Sequence, residues 1–173
     1  INPAVTLGLA LAGEFSWILV PVYLLAQFAG AAFGAFLVWL TYFDHFSITK
    51  DADAQMSAFC TSPAIRRPLM NLVSEIIGTT VLVYAVMHIV SPDGGLGSLD
   101  ALPVGLLVLA IGLSLGGTTG YAINPARDLS PRFMHQVLPM AGKRDSDWAY
   151  AWIPVVGPFL GGALAALCFA LLG

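Results

Sequence analysis

Long apolar runs, interrupted by short polar or Gly/Pro-rich stretches, set the pattern of this chain. Four runs, about Ile18 to Phe43, Leu69 to Val90, Ala101 to Gly117 and Ala149 to Leu172, are predicted as helices that cross a bilayer, which takes roughly 20 mostly apolar residues. The connections are Asp44 to Pro68, which carries most of the loop charge, "SPDGGLGSLD" at 91 to 100, and the region after Gly117. Two further runs, Pro3 to Gly13 and Pro125 to Leu138, are too short to span. At about 11 and 14 residues they make helices of about 16 to 21 Å, half to two-thirds of a hydrocarbon core of about 30 Å. They enter a membrane without crossing it.

Both short runs open with one tripeptide, Asn2-Pro3-Ala4 and Asn124-Pro125-Ala126. Asn is a strong N-cap, and Pro suits the first helical position, where its missing N–H costs nothing. Paired short, Pro-marked apolar segments are also the sequence sign of an inverted repeat with a site near the bilayer midplane. Parity fixes their relative direction. If the first short helix starts at mid-depth and runs out to one side, the three spans that follow bring the chain to the opposite face before the second tripeptide. The two Asn-Pro N-termini are therefore expected to point at each other. Irregular backbone at that depth is tolerated only inside protein or beside water, so the approach "GGTTGYAI" at 116 to 123 is expected to line an aqueous path. Two helix N-termini, each worth roughly half a positive charge, repel cations there, with the Asn2 and Asn124 amides as donors.

Composition agrees: 58% hydrophobic residues, 10% charged residues and a mean hydropathy of +0.83 place the chain among membrane proteins. The net charge of -3, with seven Lys and Arg scattered over loops, gives no nucleic-acid footprint. Cys60 in a polar loop and Cys168 in an apolar run lack the spacing of a disulfide framework or metal site, and no metal or cofactor is implied. The chain opens at Ile1 inside a motif and reads as an N-terminally incomplete piece.

The two Asn-Pro-Ala boxes, the second continuing as "NPARD", resemble the aquaporin superfamily across essentially the whole chain. The resemblance implies an all-α membrane protein, a right-handed bundle in which this chain supplies four full transmembrane helices and two opposed re-entrant half-helices. Two upstream spans are expected to be missing. Residues 1–173 then form one channel domain, 1–90 holding the rest of a first repeat plus the first span of the second, and 91–173 the remainder of the second. The family's constriction maps to Arg127, Tyr121 and Gly112, with a fourth aromatic member expected upstream. Gly112, where strict water channels usually carry His, is expected to widen the ring, and Asp128 after Arg127 marks the glycerol-conducting branch. Tyr121 departs from the Phe usual there and makes the wall more polar and the ring tighter. Carbonyls of Gly120, Tyr121 and Ala122 are expected to form an acceptor ladder leading to Asn124, and Glu75 resembles the buried glutamate that holds the inner loop's backbone. Pro3, Ala4, Pro125 and Ala126 support the boxes.

Blander readings stand beside these. Arg127 has an interfacial snorkel as its alternative, although a lone Arg near mid-depth is costly and favours a lining role. Asp128 and Glu75 are read as structural rather than solute-contacting. His45, His88 and His135 near span or half-helix ends need no function. "GAAFGA" (30 to 35) and "GGALAA" (161 to 166) read as helix-packing stripes, and Trp17, Trp39, Tyr42, Trp148 and Tyr150 as an interfacial belt. Lys50, Arg66, Arg67, Lys143 and Arg144 fall in the connections the family puts outside, against the positive-inside rule; the family orientation is preferred because missing N-terminal sequence usually dominates insertion. The expected activity is passive, non-enzymatic conduction of glycerol, urea and other small neutral solutes, with some water, through the pore of each subunit of a homotetramer in the cell membrane. A water, urea or ammonia channel and a non-conducting adhesion or scaffold protein are the alternatives.

Overall fold

The protein, seen here in a computed structural model that describes residues 1–89 and 99–172, is helical in all its described regular elements. In chain order these are α1 (Pro3–Leu11), a 3-10 turn at Trp17–Leu19, α2 (Val20–Thr41), α3 (Phe43–Ile48), α4 (Ala52–Ser57), α5 (Pro68–Ile89), α6 (Ala101–Leu115), α7 (Pro125–Val137) and α8 (Ile153–Leu172). Three stretches, Trp17–Thr41, Pro68–Ile89 and Ile153–Leu172, are long and apolar enough to cross a membrane. Helix α6 is shorter than its sequence pattern, 15 described residues that stop at Leu115 as Gly116 and Gly117 turn the chain. The expected repeat boundary at 90/91 and most of the 91 to 100 connection lie outside the described residues.

Each box starts a helix as its chemistry dictates. Asn2 is extended (φ -157°, ψ 114°) and its Oδ1 accepts from the Ala4 N–H at 2.9 Å. Asn124 has nearly the same conformation (φ -157°, ψ 108°), and its Oδ1 accepts from the N–H groups of Ala126 and Arg127 at 3.0 and 3.1 Å. Helix α5 is started by Asn71, whose Oδ1 accepts from the Arg67 N–H at 2.9 Å and whose Nδ2 donates to the Ile65 carbonyl at 3.1 Å.

Missing side chains let α8 nest against α5 and α1. A Cβ on Gly157 would lie 2.6 Å from the Glu75 Cβ, one on Gly161 2.6 Å from the Ile76 carbonyl oxygen, and one on Gly162 2.6 Å from the Ala4 carbonyl oxygen. The 161 to 166 stripe therefore packs as expected. The 30 to 35 stripe packs only at its end within the chain: Ala35 is buried against Phe46, Phe59 and Leu138, while Cβ atoms on Gly30 and Gly34 would meet nothing within 4 Å.

Three other expectations change. The half-helix α7 is not apolar; it buries Asp128, Ser130, Arg132 and His135 and exposes Phe133 and Val137. His135 is thus enclosed rather than interfacial, its Nδ1 2.8 Å from the Ser146 Oγ. Tyr150 leaves the aromatic belt too, buried beneath the Arg66 guanidinium, which lies 5.5 Å above its ring.

Candidate functional site: a cavity between two opposed helix ends

Helices α1 and α7 meet N-terminus to N-terminus. The Asn2 Nδ2 donates to the Ile123 carbonyl at 2.8 Å, and the Asn124 Nδ2 donates to the Ile1 carbonyl at 2.8 Å. Each cap is thereby bonded to the segment that leads into the other helix. An Asn amide carries two N–H donors, so each keeps one after this exchange.

Both caps line one cavity of about 280 Å³. Its polar members are Asn2, Asn124 and Arg127, with Tyr121 to Ile123 beside them; its aliphatic members include Val5 from α1, Leu82 and Val86 from α5, and Val104 and Val108 from α6. These five aliphatic residues escaped the sequence reading. Two of the pairs, 82/86 and 104/108, sit one helical turn apart, which is the signal that marks a shared face.

The polar wall is held in an unusual backbone conformation. Gly120, Tyr121 and Ile123 have φ values of 74°, 39° and 41°, and for the two non-glycine residues this left-handed region costs energy. Glu75 supplies the restraint. Its Oε1 accepts from the Thr119 hydroxyl at 2.6 Å and the Ala122 N–H at 3.0 Å, and its Oε2 from the Ile123 N–H at 2.7 Å. Among the described residues, the carbonyls of Gly120, Tyr121 and Ala122 accept no protein hydrogen bond. Glu75 thus grips the loop before the second box. That corrects the expectation that it holds the inner loop: this loop is joined to the 44 to 68 connection by the Ala64 N–H, which donates to the Thr118 carbonyl at 3.0 Å.

Gly112 also behaves differently from its sequence reading. It does not line the cavity, because the space of its absent side chain is taken by the Tyr121 ring, whose Cζ would lie 3.0 Å from a Cβ there. Gly116, one turn on, would bring a Cβ to 2.7 Å from the Tyr121 Cδ1. The two glycines form a seat for the phenol, so the expected widening is offset by the aromatic that fills it.

Behind the cavity, α7 is anchored through buried charge. Asp128 is fully enclosed, its Oδ1 accepting from the Arg132 Nε at 2.8 Å and its Oδ2 from the Arg132 Nη2 at 3.0 Å. Arg132 also donates to the carbonyls of Thr61 at 2.9 Å and Ser146 at 2.7 Å. Such a pair tolerates burial because further hydrogen bonds satisfy its remaining groups. Sequence reasoning singled out Asp128 and missed Arg132, whose i,i+4 spacing on α7 was the available signal. The C-terminal end of α7 is closed by Lys143, whose Nζ donates to the carbonyls of His135, Gln136 and Leu138 at 2.8, 2.8 and 2.7 Å; partial burial moves its pKa below the usual lysine value. Arg144 pairs with Asp53 and Arg66 with Asp147. Cys60 is enclosed beside this network, and burial pushes its thiol up to about 12.

A chain with transmembrane-length helices, two half-length helices clasped end to end and a lined cavity at their junction has the build of a membrane channel protein. The family model described as major intrinsic protein matches residues 1–169, and the chain belongs to that family of integral membrane proteins. It is 54% identical over 172 residues to glycerol uptake facilitator protein 3 of Lactiplantibacillus plantarum, covering 99% of this chain and 71% of that protein. It is 55% identical over 166 residues to the probable glycerol uptake facilitator protein of Thermotoga maritima, covering 96% of this chain and 70% of that one. Among solved structures, the aquaglyceroporin from Plasmodium falciparum superposes with a TM-score of 0.82 at 29% identity, over 99% of this chain and 71% of that one.

Proposed function

We propose that the chain forms a passive, bidirectional channel for glycerol and similar small neutral solutes such as urea, with water as a secondary permeant, and that no bond is made or broken in the process. The observation that carries this reading is a cavity lined by both N-cap residues, by Arg127 and by Tyr121 to Ile123 together with the valines and Leu82. Glycerol is amphipathic along one edge in the same sense. Its hydroxyls donate to the free carbonyls of Tyr121 and Ala122, Gly120 falling outside the lining residues, and accept from Arg127 and the spare N–H groups of Asn2 and Asn124, while its CH edge lies on the aliphatic side. Arg127 offers a planar fork of donors suited to adjacent hydroxyls. Cations are refused because two helix N-termini, each worth roughly half a positive charge, face the same space, and because dehydrating an ion in so narrow a passage is costly. Names of the relatives support the glycerol assignment.

The open space beside Gly30 and Gly34 on α2 fits close contact with neighbouring helices in lipid, in keeping with a homotetramer in the cell membrane. The test is light scattering from liposomes that carry the full-length protein under an inward glycerol gradient. Glycerol entry clearly faster than in empty liposomes is expected; equal rates overturn the channel reading, and fast water with no glycerol flux overturns the solute assignment alone.

A further inference from the structure

We propose that Thr61, in the connection between α4 and α5, is a positioning residue that sets the spacing of the two constriction walls and hence the size of solute admitted; this rests on the reading of Arg127 and Tyr121 as constriction residues. Thr61 is 5% exposed and lies outside the cavity lining, so it meets no solute. Each of its polar groups is committed to α7. Its N–H and its Oγ1 both donate to the Asp128 Oδ2 at 2.7 Å, and its carbonyl accepts from the Arg132 Nη2 at 2.9 Å. Its methyl group faces the other wall: a Cβ on Gly120 would lie 3.4 Å from the Thr61 Cγ2 and 3.5 Å from its Cβ.

Asp128 directly follows Arg127 in sequence, and Gly120 directly precedes Tyr121. One side chain therefore lies beside the immediate neighbours of both constriction residues, hydrogen-bonded to Asp128 on the α7 side and, on the loop side, bordering the space into which a Gly120 side chain would project. The next residues extend the same wedge, since the Ser62 carbonyl oxygen would lie 3.9 Å from a Gly120 Cβ and the Ala64 N–H bonds the Thr118 carbonyl. A Thr is suited to this place because it offers a donor and a methyl group on one stiff Cβ.

Two conservative variants separate the two contacts. Thr61→Val keeps the methyl group and loses the hydroxyl on Asp128; Thr61→Ser keeps both bonds to Asp128 and loses the methyl group against Gly120. In liposomes carrying the full-length protein, the readout is the ratio of xylitol to glycerol permeability, which does not depend on how many channels are active. Each variant is expected to raise that ratio about threefold or more, the scale on which small changes in pocket fit discriminate substrates. Arg144→Gln, which removes the outer pairs with Asp53 and Asp145, is expected to leave it unchanged. A purely structural role would lower the thermal midpoint and scale both fluxes together, so an unaltered ratio in Thr61→Ser overturns the proposal; if Thr61→Val does not assemble, Thr61→Ser decides. Wild-type liposomes that pass no glycerol would instead overturn the underlying channel reading.

Discussion

Replacing Glu75 by Gln tests the energetic balance on which the polar wall depends. The left-handed conformations of Tyr121 and Ile123 cost about 1–3 kcal/mol each, so the wall stores about 2–6 kcal/mol. Three bonds to the Glu75 carboxylate oppose this, and hydrogen bonds to a charged group contribute about 1.5–3 kcal/mol each, together about 4.5–9 kcal/mol. A Gln keeps one acceptor oxygen. Placed toward Thr119 and Ala122, it retains two neutral bonds of about 0.5–1.5 kcal/mol each and leaves the Ile123 N–H facing an NH2 group, at a cost of about 1–3 kcal/mol. The restraint then falls to about zero while the strain is unchanged. A deficit of about 2 kcal/mol reduces the strained conformation to about one molecule in thirty. Glycerol permeability per assembled channel is therefore expected to fall about tenfold or more, read by light scattering with the amount of inserted protein normalised on gels. A Glu75→Gln channel that conducts within about twofold of wild type would refute the assignment of Glu75 as the restraint on the wall.

Gly112→Ala brings a Cβ to 3.0 Å from the Tyr121 Cζ and displaces the phenol away from α6, so the water-to-glycerol permeability ratio is expected to rise several-fold; an unchanged ratio would refute the seat. Gly157→Ala places a methyl group 2.6 Å from the Glu75 Cβ, an overpacking worth about 1–3 kcal/mol that should lower the thermal midpoint by roughly 2–12 °C, and a midpoint at the wild-type value would count against the α5–α8 contact. The Cys60 thiol, raised by burial from 9.0 to about 12, contributes stability that is fully present below about pH 9 and is lost as pH rises through 12. In a Cys168→Ser background, maleimide at pH 8.5 is therefore expected to leave Cys60 unlabelled until denaturant is added, and prompt labelling of the folded protein would show the thiol to be accessible.

The parts of the fold governed by local rules were readable in the sequence. Both N-caps follow from Asn-Pro chemistry, and the head-to-head arrangement follows from parity, since three intervening spans reverse the side of entry. What escaped depends on contacts between residues far apart in the chain. Gly112 reads as empty space until the Tyr121 ring is seen lying in it. Arg132 sits in a segment that passes for an apolar half-helix, yet the loops around Thr61 and Ser146 give it a buried polar pocket. Glu75 is marked as a loop restraint by its resemblance to the family's buried glutamate, and the cost of an intramembrane carboxylate supports a structural role, but nothing local says which loop it grips. Three of the five cations that run against the positive-inside rule are engaged in the structure: Lys143 with the last carbonyls of α7, Arg144 with Asp53 and Arg66 with Asp147.

The reciprocal bonds between Asn2 and the Ile123 carbonyl and between Asn124 and the Ile1 carbonyl bear on how the molecule is made. Neither stub can rest at depth by itself, because each provides the acceptor its counterpart's amide needs, and hydrocarbon offers none. The two stubs are in that sense one unit: loss of either amide leaves an acceptor on the opposite half without its partner.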